Sequence, residues 1–325
     1  MGRTVRWGVL STALINDKVL TGAAQSSEVE VLAVASRDAA KAREYADAKG
    51  IERAYGSYEA LLADPDVEAV YVPLPNSLHH PWTLAALRAG KHVLCEKPYS
   101  RRPADVAEGF AVAREQGLVL SEAFMWRYNP QTRATAALVA DGAIGDLRLV
   151  VASFSWPCPL DGDIRTRPDL DGGSLMDVGC YCVSAARLLA GEPVSVTAQQ
   201  TVGAHGVDAH LAATLQFAGG AVAHLDSAFH VPDRSHLEVV GTTGTVRVRD
   251  PWHCASPGVT LTGLDGVPRE VPVETVSSYR LELEEMNKAV RGEPNVLLGE
   301  VDALGQARTI EALYRAARTG ATVTL

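Results

Sequence analysis

The sequence predicts an α/β protein of two domains, an N-terminal parallel βαβ array followed by a domain built on a broad antiparallel sheet. Three observations carry this. Short apolar strands alternate with helical segments through the first 120 or so residues, which is the pattern of parallel βαβ units. From Leu147 onward the strands lengthen and alternate apolar with polar, as half-buried antiparallel strands do. The chain of 325 residues, 47% apolar, is long enough for two cores.

The elements follow in order. Val5–Leu10 reads as the first strand, and Ser11-Thr12-Ala13-Leu14-Ile15 as a turn into a helix from Asn16 to about Gln25. Val29–Ala35 is a second, nearly all-apolar strand. Asp38 is a good N-cap for a helix over Ala39–Lys49. Ala69–Pro73 is a strand, His79–Ala89 a helix, His92–Cys95 a strand and Leu118–Leu120 another. Pro130 opens a helix to about Ala140, and Asp141–Asp146 turns the chain into the second domain. Its strands are expected over 147–155, 194–202, 210–217, 221–229, 235–240 and 245–249, with a hairpin at Gly219-Gly220. The Pro-, Asp- and Gly-rich stretch from Trp156 to Leu170 is a long loop suited to covering a site. Helices are expected over 178–189, 279–290 and 301–318.

Cys95-Glu96-Lys97-Pro98 is the most informative stretch. An apolar strand ends there in an acid, a base and a proline, and strand carboxyl ends form the ligand crevice of an open parallel sheet. Pro98 restricts Lys97 to an extended conformation and so directs its ammonium group. A dinucleotide fingerprint placed on Gly8 gives Gly8-Val9-Leu10-Ser11-Thr12-Ala13. Gly8 is then the tight-turn glycine, Leu10 stands where backbone approaches a pyrophosphate, and Ala13 is small enough for close helix–strand packing. Ser11 and Thr12 offer hydroxyls to the phosphates at the helix start. The second strand ends Ala35-Ser36-Arg37-Asp38. Ser36 and Arg37 suit a ribose 2′-phosphate, with Asp38 kept for the helix cap, so NADP is favoured over NAD.

These residues, with VPLPNSLHH at 72–80, EAFMWRY at 122–128 and GGSLMDVGCY at 172–181, resemble the Gfo/Idh/MocA (glucose–fructose oxidoreductase / inositol dehydrogenase) family. The branch most resembled is that of dihydrodiol dehydrogenase and D-xylose (aldose) 1-dehydrogenase. The resemblance implies an N-terminal Rossmann domain with a doubly wound parallel sheet, taken as residues 1–125. It also implies a C-terminal α/β domain with a large, mostly antiparallel open sheet, taken as 126–325. It implies hydride transfer between NAD(P) and a sugar-like carbinol, and adds Pro73, Leu74, Asn76, His79, Glu96, Lys97, Trp126 and Arg127 to the cofactor-side positions.

Asp177 and Tyr181 stand four residues apart at the start of the helix predicted over 178–189, on one helix face. Alcohol oxidation needs a base for the hydroxyl proton as hydride departs, and reduction needs the same group as an acid. A phenol requires help in that role, and a nearby ammonium supplies it by stabilising phenolate. The family carries its acid/base at the position of Tyr181. Tyr181 is therefore assigned as acid/base, Lys97 as its activator and substrate-hydroxyl ligand, and Asp177 as orienter. The competing reading makes Asp177 a helix cap and Tyr181 a buried packing residue. Arg127 is weighed equally as a ligand for substrate oxygens and as a structural tie. Phe154, Trp156, Asp169 and His230 are unranked candidates for shaping a sugar pocket.

The expected activity is NADP-dependent oxidation of an aldose such as D-xylose or D-glucose at C1 to the lactone. The alternatives are a ketosugar reductase or glycoside 3-dehydrogenase, a trans-dihydrodiol dehydrogenase, and, from a different class, a non-catalytic NADP-binding sensor, against which intact Lys97, Asp177 and Tyr181 argue. No metal is expected, since no His/Cys/carboxylate group lies at ligand spacing. A net charge of −9 without basic clusters argues against nucleic acid and anionic membrane as partners. Five scattered cysteines and no apparent leader fit a reducing cytoplasm. A homodimer or homotetramer through the exposed face of the C-terminal sheet is expected, since a sheet covered on one side leaves its other face to a partner.

Overall fold

The computed structural model describes residues 2–159 and 161–325, so Leu160 of the long loop lies outside the described residues. They form two compact units. The first takes the chain up to Met125 together with Ser278–Leu304, and the second takes Trp126–Ser277 and Gly305–Leu325.

The first unit runs β1 (Val5–Leu10), α1 (Asn16–Ala23), β2 (Val29–Ala35), α2 (Ala39–Lys49), β3 (Arg53–Tyr55), α3 (Tyr58–Leu62), β4 (Ala69–Val72), α4 (Asn76–Arg88), β5 (His92–Glu96), α5 (Pro103–Gln116) and β6 (Leu120–Ala123). Six strands pair in parallel in the order β3-β2-β1-β4-β5-β6. The order reverses between β1 and β4, the switch point where such sheets bind ligands. Burial explains the strand composition: all four residues of β4 are buried, as expected where helices cover both faces. Asp38 caps α2, accepting from Ala40 N (2.9 Å) and Lys41 N (3.2 Å).

A boundary drawn in sequence order places residues 278–304 in the second domain. The structure corrects this. The segment carries a helix, Ser278–Val290, that packs with the first unit although it follows the strands of the second. Leu283 and Met286 join the core of Trp7, Val9, Val19 and Tyr71. Each such buried side chain contributes about 1.5–3 kcal/mol. Asn287 accepts from Trp7 Nε1 (3.1 Å) and donates to Glu28 O (2.6 Å). Gly22 permits the approach of α1, because a Cβ there would lie 2.8 Å from Arg280 N. Further along the segment, Leu298 O accepts from Ser121 Oγ (2.8 Å).

The second unit holds α6 (Pro130–Ala140), β7 (Leu147–Ser155), α7 (Cys180–Ala190), β8 (Pro193–Val202), β9 (Asp208–Phe217), β10 (Val222–Ala228), β11 (Arg234–Gly241), β12 (Gly244–Arg249), β13 (Gly258–Gly263) and β14 (Pro268–Val271). The returning helix Ser278–Val290 is then α8. Residues 305–319 of helix α9 (Glu300–Thr319) and strand β15 (Val323–Thr324) complete the second unit. Its nine strands are ordered β14-β13-β12-β11-β7-β10-β9-β8-β15. All neighbours are antiparallel except β7 and β10. The alternating burial of β9 shows one face packed and one wet. On that wet face Arg234 pairs with Asp226 (2.6 Å), Arg247 with Glu238 (2.8 Å), and Ser195 with Gln216 (3.0 Å).

All five cysteines are buried thiols. Among the described residues no helix is long and apolar enough to cross a membrane, and no group of three His, Cys, Asp or Glu side chains is placed to hold a metal ion.

Candidate active site

At the switch point the fingerprint sits three residues later than the sequence placement. Gly8 lies within β1, and its need is for packing: a Cβ would meet Leu61 Cδ2 at 2.5 Å. Leu10 is the last, fully buried strand residue. The backbone demand falls on Ser11, whose φ of 143° is a conformation glycine adopts readily and other residues rarely. Ser11 Oγ donates to Pro73 O (3.2 Å) and accepts from Ala13 N (3.2 Å), which ties the β1 and β4 loops together. Asn16 takes the third, close-packing position, buried and donating to Ser11 O (2.8 Å). Thr12 and Ala13 remain on the loop, half-buried.

At the end of β2, Asp38 is spent on the helix cap while Arg37 is exposed. Ser36 Oγ accepts from Asp38 N (3.3 Å). The edge thus offers a cation and a hydroxyl, with its one acid turned to α2. That donor set fits a phosphorylated ribose.

Past β4, Leu74 is nearly buried and Asn76 opens α4. His79 is a strut. It is 1% exposed, with Nδ1 2.9 Å from Pro98 O and Nε2 2.8 Å from Leu74 O. Burial lowers its pKa to about 4, a larger effect than the opposing pull of the two carbonyls. Both nitrogens of His79 therefore face backbone. The residue braces the turn that carries Lys97.

The β5 terminus is built around Glu96. Its Oε1 accepts from Tyr71 OH (2.5 Å) and its Oε2 from Lys97 N (3.2 Å). Tyr99 N donates to Glu122 Oε1 (2.7 Å) just beyond, and the Lys97–Pro98 peptide is cis. Glu282 of α8 is 2% exposed. Burial, then the charge of Glu96, pushes its carboxyl well above the usual range. The same causes raise the Tyr71 hydroxyl. Neither Tyr71 nor Glu282 is among the residues singled out from the sequence. The signal for Glu282 is slight, an acid on the apolar side of an otherwise amphipathic α8.

In the second unit Asp177 does not cap α7. It lies in a π-helical segment, Leu175–Gly179, that leads into the helix at Cys180. Such wide turns concentrate at functional sites, and the extra residue alters the one-turn stacking that i, i+4 spacing assumes. Asp177 Oδ2 accepts from Trp156 Nε1 (3.0 Å) and Oδ1 from Arg165 Nε (3.2 Å). Arg165 also bonds Asp163 (3.1 Å) and lies over the Trp156 ring at 5.3 Å. Nothing in the sequence marks Arg165 except its place in the long loop.

Tyr181 is half-buried in an aromatic cluster, its ring 5.5 Å from Phe154 and 6.1 Å from Trp252. Phe154 also stacks on Trp252 (6.0 Å, 18°) and meets His253 edge-on (5.4 Å). Tyr181 is thus neither solvent-exposed nor a fully buried core residue. Trp126 is a core residue, 1% exposed and edge-on to Trp252 at 5.5 Å. Arg127 Nη1 donates to Ser184 Oγ on α7 (3.1 Å). Asp169 is exposed and paired with Arg167, and His230 is exposed; neither is brought to Asp177 or Tyr181 by a bond. Lys97 belongs to the first unit, Asp177 and Tyr181 to the second.

A doubly wound sheet with a nucleotide loop at its switch point, joined in one chain to a large mixed sheet, defines a class of dinucleotide-dependent oxidoreductases. A family model described as an oxidoreductase family with an NAD-binding Rossmann fold matches residues 5–124, and one described as the GFO/IDH/MocA C-terminal domain matches residues 132–247. The chain belongs to this Gfo/Idh/MocA family of NAD(P)-dependent oxidoreductases. It is 42% identical to D-xylose 1-dehydrogenase (NADP(+)) 2 of Haloferax volcanii, over 98% of this chain and 99% of that protein. It is 36% identical to trans-1,2-dihydrobenzene-1,2-diol dehydrogenase of Mus musculus, over 76% of this chain and 75% of that one. Among solved structures, an aldose-aldose oxidoreductase from Caulobacter crescentus complexed with glycerol superposes with a TM-score of 0.92 at 31% identity, covering 99% of this chain and 100% of that one. A 3-ketoreductase from Actinomadura kijaniata in complex with NADP and TDP-benzene gives 0.90 at 33%, covering 97% and 98%.

Proposed function

We propose that the protein oxidises a free aldose such as D-xylose or D-glucose at C1 to the lactone, with NADP as hydride acceptor. The observation that carries the chemistry is Tyr181, a half-buried phenol walled by Phe154 and Trp252, four residues after a carboxylate held on both oxygens. The end-to-end likeness to a xylose dehydrogenase supports the substrate class. Exposed Arg37 and the diversion of Asp38 to the helix cap support NADP.

In this reading NADP, when bound, supplies the acceptor for the hydride leaving C1. Tyr181 takes the proton of the C1 hydroxyl, so that the C–O single bond becomes the lactone carbonyl. A phenol does this as phenolate, which the Lys97 ammonium stabilises. Asp177 is immobilised by Trp156 and Arg165 and orients the hydroxyl and the phenol. A further support is positional: solved variants of the Actinomadura 3-ketoreductase alter a lysine and a tyrosine at the same sequence spacing as Lys97 and Tyr181. That likeness also favours a second reading, ketosugar reduction, in which the same residues run in reverse with Tyr181 as acid. The expectation of a homo-oligomer through the nine-stranded sheet stands as part of this proposal; sedimentation mass tests it.

The activity is tested by following reduced nicotinamide with NADP or NAD against free aldoses, methyl glycosides and inositols. Turnover of free aldoses only, with NADP preferred, is expected. Equal turnover of methyl glycosides moves the chemistry to a ring hydroxyl, and no oxidation at all removes the proposal in favour of ketosugar reduction.

A further inference from the structure

The π-helical turn that carries Asp177 and leads into Tyr181 begins at a buried carboxylate. Asp208, the first residue of β9, is 4% exposed, and its side-chain partners are neutral donors. Its Oδ2 accepts from Leu175 N (2.8 Å) and Ser174 Oγ (2.9 Å), and its Oδ1 from Tyr314 OH of α9 (2.8 Å). Ser174 Oγ is also 2.9 Å from Ser227 Oγ of β10. The carboxylate thus binds the first backbone N–H of the π segment and ties it to β9, β10 and α9. The approach is tight. Gly173 has a φ of 127°, and a Cβ there would stand 2.0 Å from Asp208 Oδ1. A Cβ on Gly172 would meet Arg165 O at 2.3 Å. The Gly172-Gly173 pair is therefore needed to seat the turn between Asp208 and the Arg165 loop. Helix α9 holds the same turn a second time, Gln306 Nε2 donating to Cys180 O (2.8 Å) beside Tyr181.

We propose that Asp208, with Tyr314 as its support, is a positioning residue that fixes the π-helical turn and hence the placement of Tyr181 and Asp177 for proton transfer. The inference rests on the reading of Tyr181 as acid/base. A buried carboxylate is costly unless its lone pairs are met, and burial does push this carboxyl up against the pull of its three donors. A hydroxyl cap would satisfy Leu175 N alone. The carboxylate instead meets three donors from two sides at once and leaves the turn one geometry. Proton transfer is sensitive to that geometry, since a misplacement of about 1 Å costs on the order of 10²-fold in rate.

The test compares Asp208→Leu, Asp208→Asn, Tyr314→Phe and Tyr181→Phe in the whole protein. It measures kcat per folded site, NADP affinity by fluorescence titration, and the solvent deuterium isotope effect on kcat with the best aldose. Asp208→Leu is expected to lower kcat on the order of 10²-fold with unchanged NADP affinity and a larger isotope effect, because proton transfer becomes limiting. Asp208→Asn keeps an acceptor for Leu175 N and recovers most of the rate, and Tyr314→Phe falls between. A kcat in Asp208→Leu close to that of the parent overturns the inference. So does a loss that merely tracks the folded fraction with the isotope effect unmoved. If Asp208→Leu does not fold, Tyr314→Phe decides by the same isotope effect. Tyr181→Phe separates the two levels: full activity there removes the acid/base reading itself, whereas inactivity there with normal Asp208 variants removes only the positioning role.

Discussion

Arg165 Nε stands 3.2 Å from Asp177 Oδ1, so the carboxylate beside the candidate acid/base is held by the long loop between β7 and α7. The loop therefore reaches Asp177 through a charge pair. Asp163 holds the other side of the guanidinium (3.1 Å), and the Trp156 face lies beneath it. Arg165→Ala is expected to lower kcat about tenfold or more while the melting temperature moves little, since half-exposed ion pairs contribute about 0–1 kcal/mol to stability. Arg165→Lys, lacking the fork that spans two carboxylates, recovers only part. Steady-state rates with thermal melts check this; an unchanged kcat in Arg165→Ala would mean Asp177 needs no such support.

Arg37 and Asp38 are neighbours with separable jobs. Arg37→Ala is expected to reduce the ratio of kcat/KM for NADP over NAD by about tenfold or more, each tenfold being about 1.4 kcal/mol. Asp38→Ala removes two bonds from the start of α2 and is expected to cost about 0.5–2 kcal/mol of stability without changing cofactor preference. Urea melts and paired cofactor kinetics distinguish the two, and a preference lost in Asp38→Ala alone would reverse the assignment.

His79 makes acid a specific threat to the Lys97 turn. Its folded pKa of about 4 lies below the ordinary 6.5, so the unfolded chain binds the extra proton between those values. Stability from His79 is complete above pH 6.5 and is lost as pH falls toward the folded value, with a slope of up to about 1.4 kcal/mol per pH unit. Urea unfolding at about pH 7, 6 and 5 is expected to show a shallower decline in His79→Gln than in the parent. Parallel declines would place the acid sensitivity elsewhere.

Glu282 acts in the opposite direction. Its folded pKa is raised, by burial first and by Glu96 second, so the native state keeps a proton that the unfolded chain releases. Its contribution is present below the ordinary carboxyl pKa of 4.5 and is lost as pH rises toward the folded value. Glu282→Gln, the neutral isostere, is expected to raise the melting temperature at about pH 8 more than at about pH 5. An equal shift at both pH values would mean that Glu282 is ionised in the fold.

Much of this is legible in the sequence because single segments determine it. The apolar runs of β1, β2, β4 and β5 announce a parallel sheet, Asp38 announces a cap, and the Glu96-Lys97-Pro98 punctuation marks a strand end at the crevice. What is illegible depends on tertiary demand. The fingerprint slides along the loop because Ser11 adopts a backbone conformation usually left to glycine, which no residue-type pattern reveals. Helix α5 hides in an alanine-rich stretch with little periodicity, and β13 and β14 at the sheet edge carry little alternation. The return of α8 to the first unit shows only in the fit of Leu283, Met286 and Asn287 to Trp7 and its neighbours. The π turn looks like ordinary helix until Asp208, far along the chain, is seen to hold its first N–H.

The most direct measurement is the identity of the product carbon. D-xylose labelled with 13C at C1 is incubated with the protein and NADP, and the 13C spectrum is recorded alongside the absorbance of reduced nicotinamide. The account predicts that the labelled anomeric signals give way to a lactone carbonyl, with its hydrolysed carboxylate following, in step with NADPH and absent in Tyr181→Phe. NADPH formed while the label stays anomeric, or lactone formed at the parental rate by Tyr181→Phe, would contradict it.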